Sequence, residues 1–99
     1  MSKYQLTNKA VEDLSNIWEY TIETWSENQA DNYYHFLLNT FQELSENPKL
    51  GKNYNEIKSD LFGYLANKHI VFYQVISNSE ILIVRILHGS MDLKNRVND

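Results

Sequence analysis

Apolar positions along the chain change period twice. Lys3–Leu6 (KYQL) alternates every second residue, the pattern of a short strand. From Val11 the period lengthens: Val11, Leu14, Trp18, Ile22 and Trp25 recur every three or four residues, while Glu12, Asp13, Glu19 and Glu23 occupy other faces. This spacing predicts an amphipathic helix of about five turns. Thr7 or Asn8 caps its start, because a side-chain oxygen there can accept from a free backbone N–H. Ser26-Glu27-Asn28-Gln29 is an S-x-x-Q capping box that opens a second helix directly after the first. Ala30, Tyr33, Leu37, Phe41 and Leu44 form its apolar stripe, and Asn47-Pro48 ends it, since the proline ring disfavours helical geometry at the residue before it. So short a break between two amphipathic helices implies an antiparallel hairpin.

Residues 49–60 are polar and loop-like, anchored at Tyr54 and Ile57. Three strands follow, LFGYL (61–65), HIVFYQVI (69–76) and EILIVRILH (80–88), joined by turns at 66–68 and 77–79. The order β-α-α-β-β-β predicts an α+β fold in which the N-terminal short strand and the helical hairpin pack on a small antiparallel sheet. One helical hairpin covers one face of a sheet. The other face, either His69, Val71, Tyr73 and Val75 or Ile70, Phe72, Gln74 and Ile76 along the second of these strands, is then expected to need a partner.

With 99 residues there is room for one domain, 1–99. The absence of Cys excludes disulfides and thiolate chemistry, and no apolar run reaches membrane-spanning length or forms a signal peptide, so a cytoplasmic protein is expected. A net charge of −4 argues against general nucleic-acid binding. The charge is uneven. Residues 1–48 hold two lysines against eight acids, and residues 49–99 hold seven basic residues against five acids.

Candidate chemistry concentrates in the last segment, ILIVRILHGSMDL. Arg85 interrupts an otherwise apolar strand, and a buried guanidinium needs a carboxylate or carbonyl beside it. Asp92 and Asp13 are the acids considered for an internal pair, with a contact to a binding partner as the alternative. His88 and Asp92 fall one turn apart if the tail is helical; no Glu-x-x-His or comparable ligand pattern accompanies them, so no metal and no cofactor are expected. Tyr73 lies mid-strand, a position that favours a core role over catalysis, and Met91 follows a Gly in a polar tail, where Met makes an adaptable contact. Tyr20 and Tyr34 fall beside the main stripes and are candidates for a solvent-facing surface.

These segments resemble a known family. HIVFYQV followed by ILIVRILHGSMDL is similar to the C-terminal signature of ParE toxins of the RelE/ParE superfamily, LTNKAVEDLSNIWEYT resembles the family's opening through Ala10, Asp13, Leu14 and Ile17, and FQELSENPKLGK matches its helix exit through Leu44, Asn47, Pro48 and Gly51. The chain departs from the pattern at Phe62, where the family commonly has Arg. The resemblance implies a toxin of a type II toxin–antitoxin module that poisons DNA gyrase by binding rather than by catalysis. It also implies a hetero-oligomer with a ParD-like antitoxin, and makes Phe72, Tyr73, Arg85, His88, Met91 and Asp92 the candidate antitoxin- or target-binding residues. The alternatives are a RelE-like ribosome-dependent mRNA endonuclease, which the C-terminal tail without Tyr or His disfavours, and a non-toxic relative that only binds antitoxin.

Overall fold

The computed structural model describes residues 2–90 and 92–97; Met91, a candidate contact, lies outside the described residues. The elements are β1 (Lys3–Leu6), α1 (Asn8–Thr24), α2 (Glu27–Glu46), β2 (Lys52–Asn53), β3 (Phe62–Ala66), β4 (His69–Ser77), β5 (Glu80–His88) and α3 (Leu93–Val97), with one 3₁₀ turn at Pro48–Leu50. The predicted α+β arrangement is present, with β2 and α3 added to the expected order. Thr7 is the cap of α1, its Oγ1 accepting from Ala10 N–H at 3.0 Å, and Ser26 caps α2 through Gln29 N–H at 3.0 Å. Each bond satisfies a donor that the first helical turn leaves without an intrahelical partner.

The sheet runs β1-β5-β4-β3-β2. It is antiparallel except at one edge, where β1 pairs parallel to β5 with Lys3 opposite Glu80 and Leu6 opposite Ile83. A parallel neighbour requires a crossover connection, and α1, α2 and the strands that follow them in sequence supply it.

The hairpin core joins Leu14, Leu37, Phe41 and Leu44 to Val71, Tyr73, Ile81, Ile83 and Ile86. The stripe of α1 differs from the predicted one. Ala10 and Leu14 are buried and Ile17 is half-buried, whereas Val11 is exposed and so is Trp25, the C-cap residue, whose backbone has left helical geometry. Ala10 and Val11 are adjacent, about 100° apart around the helix, so a buried Ala10 turns Val11 outward.

The opposite face of the sheet is partly covered by the chain itself. Leu61, Ile70, Phe72, Leu87 and Val97 form a second core, packed by Tyr54, Ile57, Val84 and Leu93. Both expected loop anchors and the short tail helix α3 thus close over a face that the sequence pattern left open. Leu65, Val75 and Ile76 remain exposed.

Candidate functional site

A bulge in β5 positions the site. Phe72 pairs with Arg85 but Tyr73 pairs with Ile83, so Val84 has no partner across the strand. Strict alternation would put Arg85 beneath the helices with Ile81 and Ile83. The extra residue moves it into the row of Phe72 and Leu87, and its guanidinium sits at the β5 edge, touching both α1 and α3.

That edge is open because β1 ends opposite Ile83. The first turns of α1 take over where the strand stops. Thr7 N–H donates to Ile83 O (3.0 Å), Thr7 Oγ1–H to Val84 O (2.8 Å), and Ile86 N–H to Asp13 Oδ2 (3.0 Å). The same carboxylate receives Arg85 in a fork: Nε–Oδ2 is 2.7 Å and Nη2–Oδ1 is 3.0 Å, while Nη1 donates to Arg96 O at 2.6 Å. The two side chains are only 10% and 11% exposed. Asp13 is therefore the internal partner of Arg85, and the required carbonyl comes from α3. Two parallel charge-assisted bonds fix orientation as well as charge.

Beside this pair lies a groove of about 890 Å³. One wall is α1 and the start of α2, presenting Lys9, Glu12, Tyr20, Trp25 and Phe36; the other is the β3–β4 turn and the end of β5, presenting Lys68, His69, His88 and Ser90, with Arg96 from α3. Tyr20 and Trp25 are each 63% exposed. So much accessible aromatic surface in one concavity marks a binding surface.

His69 and His88 face each other across β4 and β5, ring centroids 5.5 Å apart and planes at 81°. Tyr33 Oη is 2.6 Å from His69 Nδ1 and also donates to Ala66 O at 3.3 Å. Burial lowers the His69 pKa to about 4; neighbouring His88 and Lys68 push the same way, against the pull of Asp13. Burial also raises the Tyr33 pKa. At neutral pH the pair Tyr33–His69 is uncharged.

The candidate residues separate. Arg85 and His88 line the groove. Phe72 and Tyr73 do not: both are fully buried, in the two different cores, and offer no surface to a partner in the free chain. Tyr73 Oη donates to Pro48 O (2.6 Å) and accepts from Gly51 N–H (2.9 Å), tying the exit of α2 to the sheet. Phe62 stacks on its ring at 5.8 Å, which gives the departure from the family pattern a packing role. Asp92 is exposed and binds the start of α3, its carbonyl accepting from Arg96 N–H at 3.0 Å and its carboxylate from Asn95 Nδ2 at 2.6 Å. Tyr20 reaches the groove; Tyr34 instead lines the seam between α1 and α2. Tyr33 and His69 were not legible as site residues, although the hairpin register places His69 opposite His88. No cluster of three metal-ligating His, Cys, Asp or Glu side chains occurs among the described residues.

Comparison with known proteins supplies the family. The model described as "ParE toxin of type II toxin-antitoxin system, parDE" matches residues 4–93. Toxin ParE1 of Mycobacterium tuberculosis is 33% identical over 92 residues, covering 93% of this chain and 94% of that protein. Toxin ParE1 of Caulobacter vibrioides is 31% identical over 94 residues, covering 95% and 96%. A solved structure of the chromosomal ParDE TA system from P. aeruginosa superposes with a TM-score of 0.75 at 18% identity, covering 89% of this chain and 96% of that one. The toxin–antitoxin complex RelBE2 of Mycobacterium tuberculosis superposes at 0.62, also at 18% identity, covering 88% and 96%.

Proposed function

The chain belongs to the ParE toxin family of type II toxin–antitoxin systems, and from that premise we propose that it poisons DNA gyrase by binding it and is silenced by a ParD-like antitoxin. The observation that carries the reading is the family match over residues 4–93, a span that includes every groove residue named above except Arg96. The groove supports it physically. It offers exposed Tyr20, Trp25 and Phe36 for apolar anchors, and Lys9, Lys68 and Arg96 outnumber Glu12 once Asp13 and Arg85 neutralise one another. An amphipathic antitoxin segment with acidic flanks is complementary to such a surface. Toxin and antitoxin form a hetero-oligomer in the cytoplasm, where gyrase and chromosomal DNA are found.

The toxin contributes shape and charge, and the chemistry remains gyrase's own. Expression of this chain alone is expected to stop growth and induce the DNA-damage response, and co-expression of its ParD-like antitoxin to restore growth. Normal growth and an unbroken chromosome at high expression of the folded protein would overturn the reading.

A further inference from the structure

We propose that His69 and His88 form a two-imidazole site for a borderline divalent cation, Zn²⁺, Ni²⁺ or Cu²⁺, on the strand wall of the groove. The first observation is placement. The two residues are direct partners at the open end of the β4–β5 hairpin, and both rings line the same groove while remaining partly accessible. The second is spacing. An ion about 2.0 Å from each Nε2 lies about 3.2 Å from each ring centroid, so tetrahedral ligation separates the centroids by about 5.2 Å. The observed separation is 5.5 Å, close to that value.

The third observation is the state of the remaining ring nitrogens. A ligating histidine uses its other nitrogen to donate to an oxygen, which fixes ring orientation and tautomer. His69 Nδ1 has Tyr33 Oη at 2.6 Å, and Tyr33 can accept there because its own proton goes to Ala66 O. His88 Nδ1 accepts from Ser90 N–H at 3.2 Å and lies 2.7 Å from Ser90 Oγ, so this ring changes tautomer, releasing the Ser90 N–H contact, when Nε2 ligates. With Nδ1 engaged by Tyr33, His69 keeps Nε2 for a ligand. Two imidazoles select nitrogen-seeking ions over Mg²⁺ or Ca²⁺. The other coordination positions open into the groove, where water, or a carboxylate or imidazole from a bound partner, completes them.

The test is isothermal titration of the tag-free protein with ZnCl₂, NiCl₂ and CuCl₂ separately, with MgCl₂ as control. The expected result is saturable 1:1 binding of at least one of the three and none of Mg²⁺. His88→Gln and His69→Gln abolish it, the exposed His35→Gln leaves it unchanged, and Tyr33→Phe weakens it about tenfold, the scale of losing a supporting hydrogen bond. If His69→Gln fails to fold, the partly exposed His88→Gln decides alone. Absence of saturable binding at millimolar metal, or binding that survives His88→Gln, overturns the proposal. Neither result bears on gyrase poisoning, which is read separately.

Discussion

Asp13 on α1 and Arg85 on β5 are joined by a two-pronged ion pair, and the same carboxylate accepts the backbone N–H of Ile86. One side chain thus compensates a buried charge and completes the edge of a strand where β1 has run out. Removing either partner leaves the other largely buried without its counter-charge. Asp13→Ala or Arg85→Ala is expected to cost about 3–5 kcal/mol, read as a lower denaturation midpoint in urea. The double variant Asp13→Leu/Arg85→Met should lose much less than the sum, because apolar replacements leave no charge behind. Additive losses would show that the pair is not a unit.

Tyr73 and Gly51 make a second structural lock. A Cβ on Gly51 would meet Tyr73 Oη at 2.2 Å and the ring at 2.8 Å. Gly51→Ala is expected to destabilise the fold by about 1–3 kcal/mol through overpacking. Tyr73→Phe should cost a similar amount, about 1–3 kcal/mol, by leaving Pro48 O and Gly51 N–H unpaired. Neither should change antitoxin affinity per folded molecule. A Tyr73→Phe protein of normal stability that binds antitoxin weakly would restore Tyr73 as a contact residue.

The exposed groove aromatics should behave in the opposite way. Trp25 makes little of the core, so Trp25→Ala is expected to change stability by no more than about 0.5 kcal/mol. If it anchors the antitoxin, the same change costs about 2 kcal/mol or more of binding, measurable by calorimetry. Unchanged antitoxin affinity in Trp25→Ala and Tyr20→Ala would place the antitoxin elsewhere.

Histidine 69 makes stability depend on pH. Its folded pKa, about 4, lies below the ordinary value of 6.5, so the unfolded chain binds the extra proton first as pH falls. Stability from this group is fully present above about pH 6.5, declines as pH drops towards 4, and levels off below that. His69→Gln should flatten the melting-temperature profile between those limits. An equally steep profile in the variant would assign the dependence to other groups.

Much of this architecture could be read from residues alone. Thr7 and Ser26 announce both helix starts, since each offers the oxygen that a first turn needs. The β4–β5 hairpin follows from its turn, and Arg85 is recognisable in the sequence as a residue that needs a carboxylate or carbonyl beside it. What stayed hidden depends on tertiary context. The parallel pairing of β1 is a long-range choice with no local signal. The unpaired Val84 shifts Arg85 out of its expected row, and unpaired Ile76 shifts the register back, so His69 and His88 still meet. Trp25 continues the helical spacing in sequence, yet the chain leaves the helix at that residue and turns it outward.

Supercoil relaxation and cleavage by purified gyrase, with the antitoxin-free protein added and a cell-free translation reaction run in parallel, tests the central claim most directly. The account predicts that linear DNA accumulates while translation proceeds, and that prior addition of a ParD-like antitoxin prevents it. Arrested translation with cleaved transcripts and unaffected gyrase would contradict it and move the chain to the ribonuclease side of the superfamily.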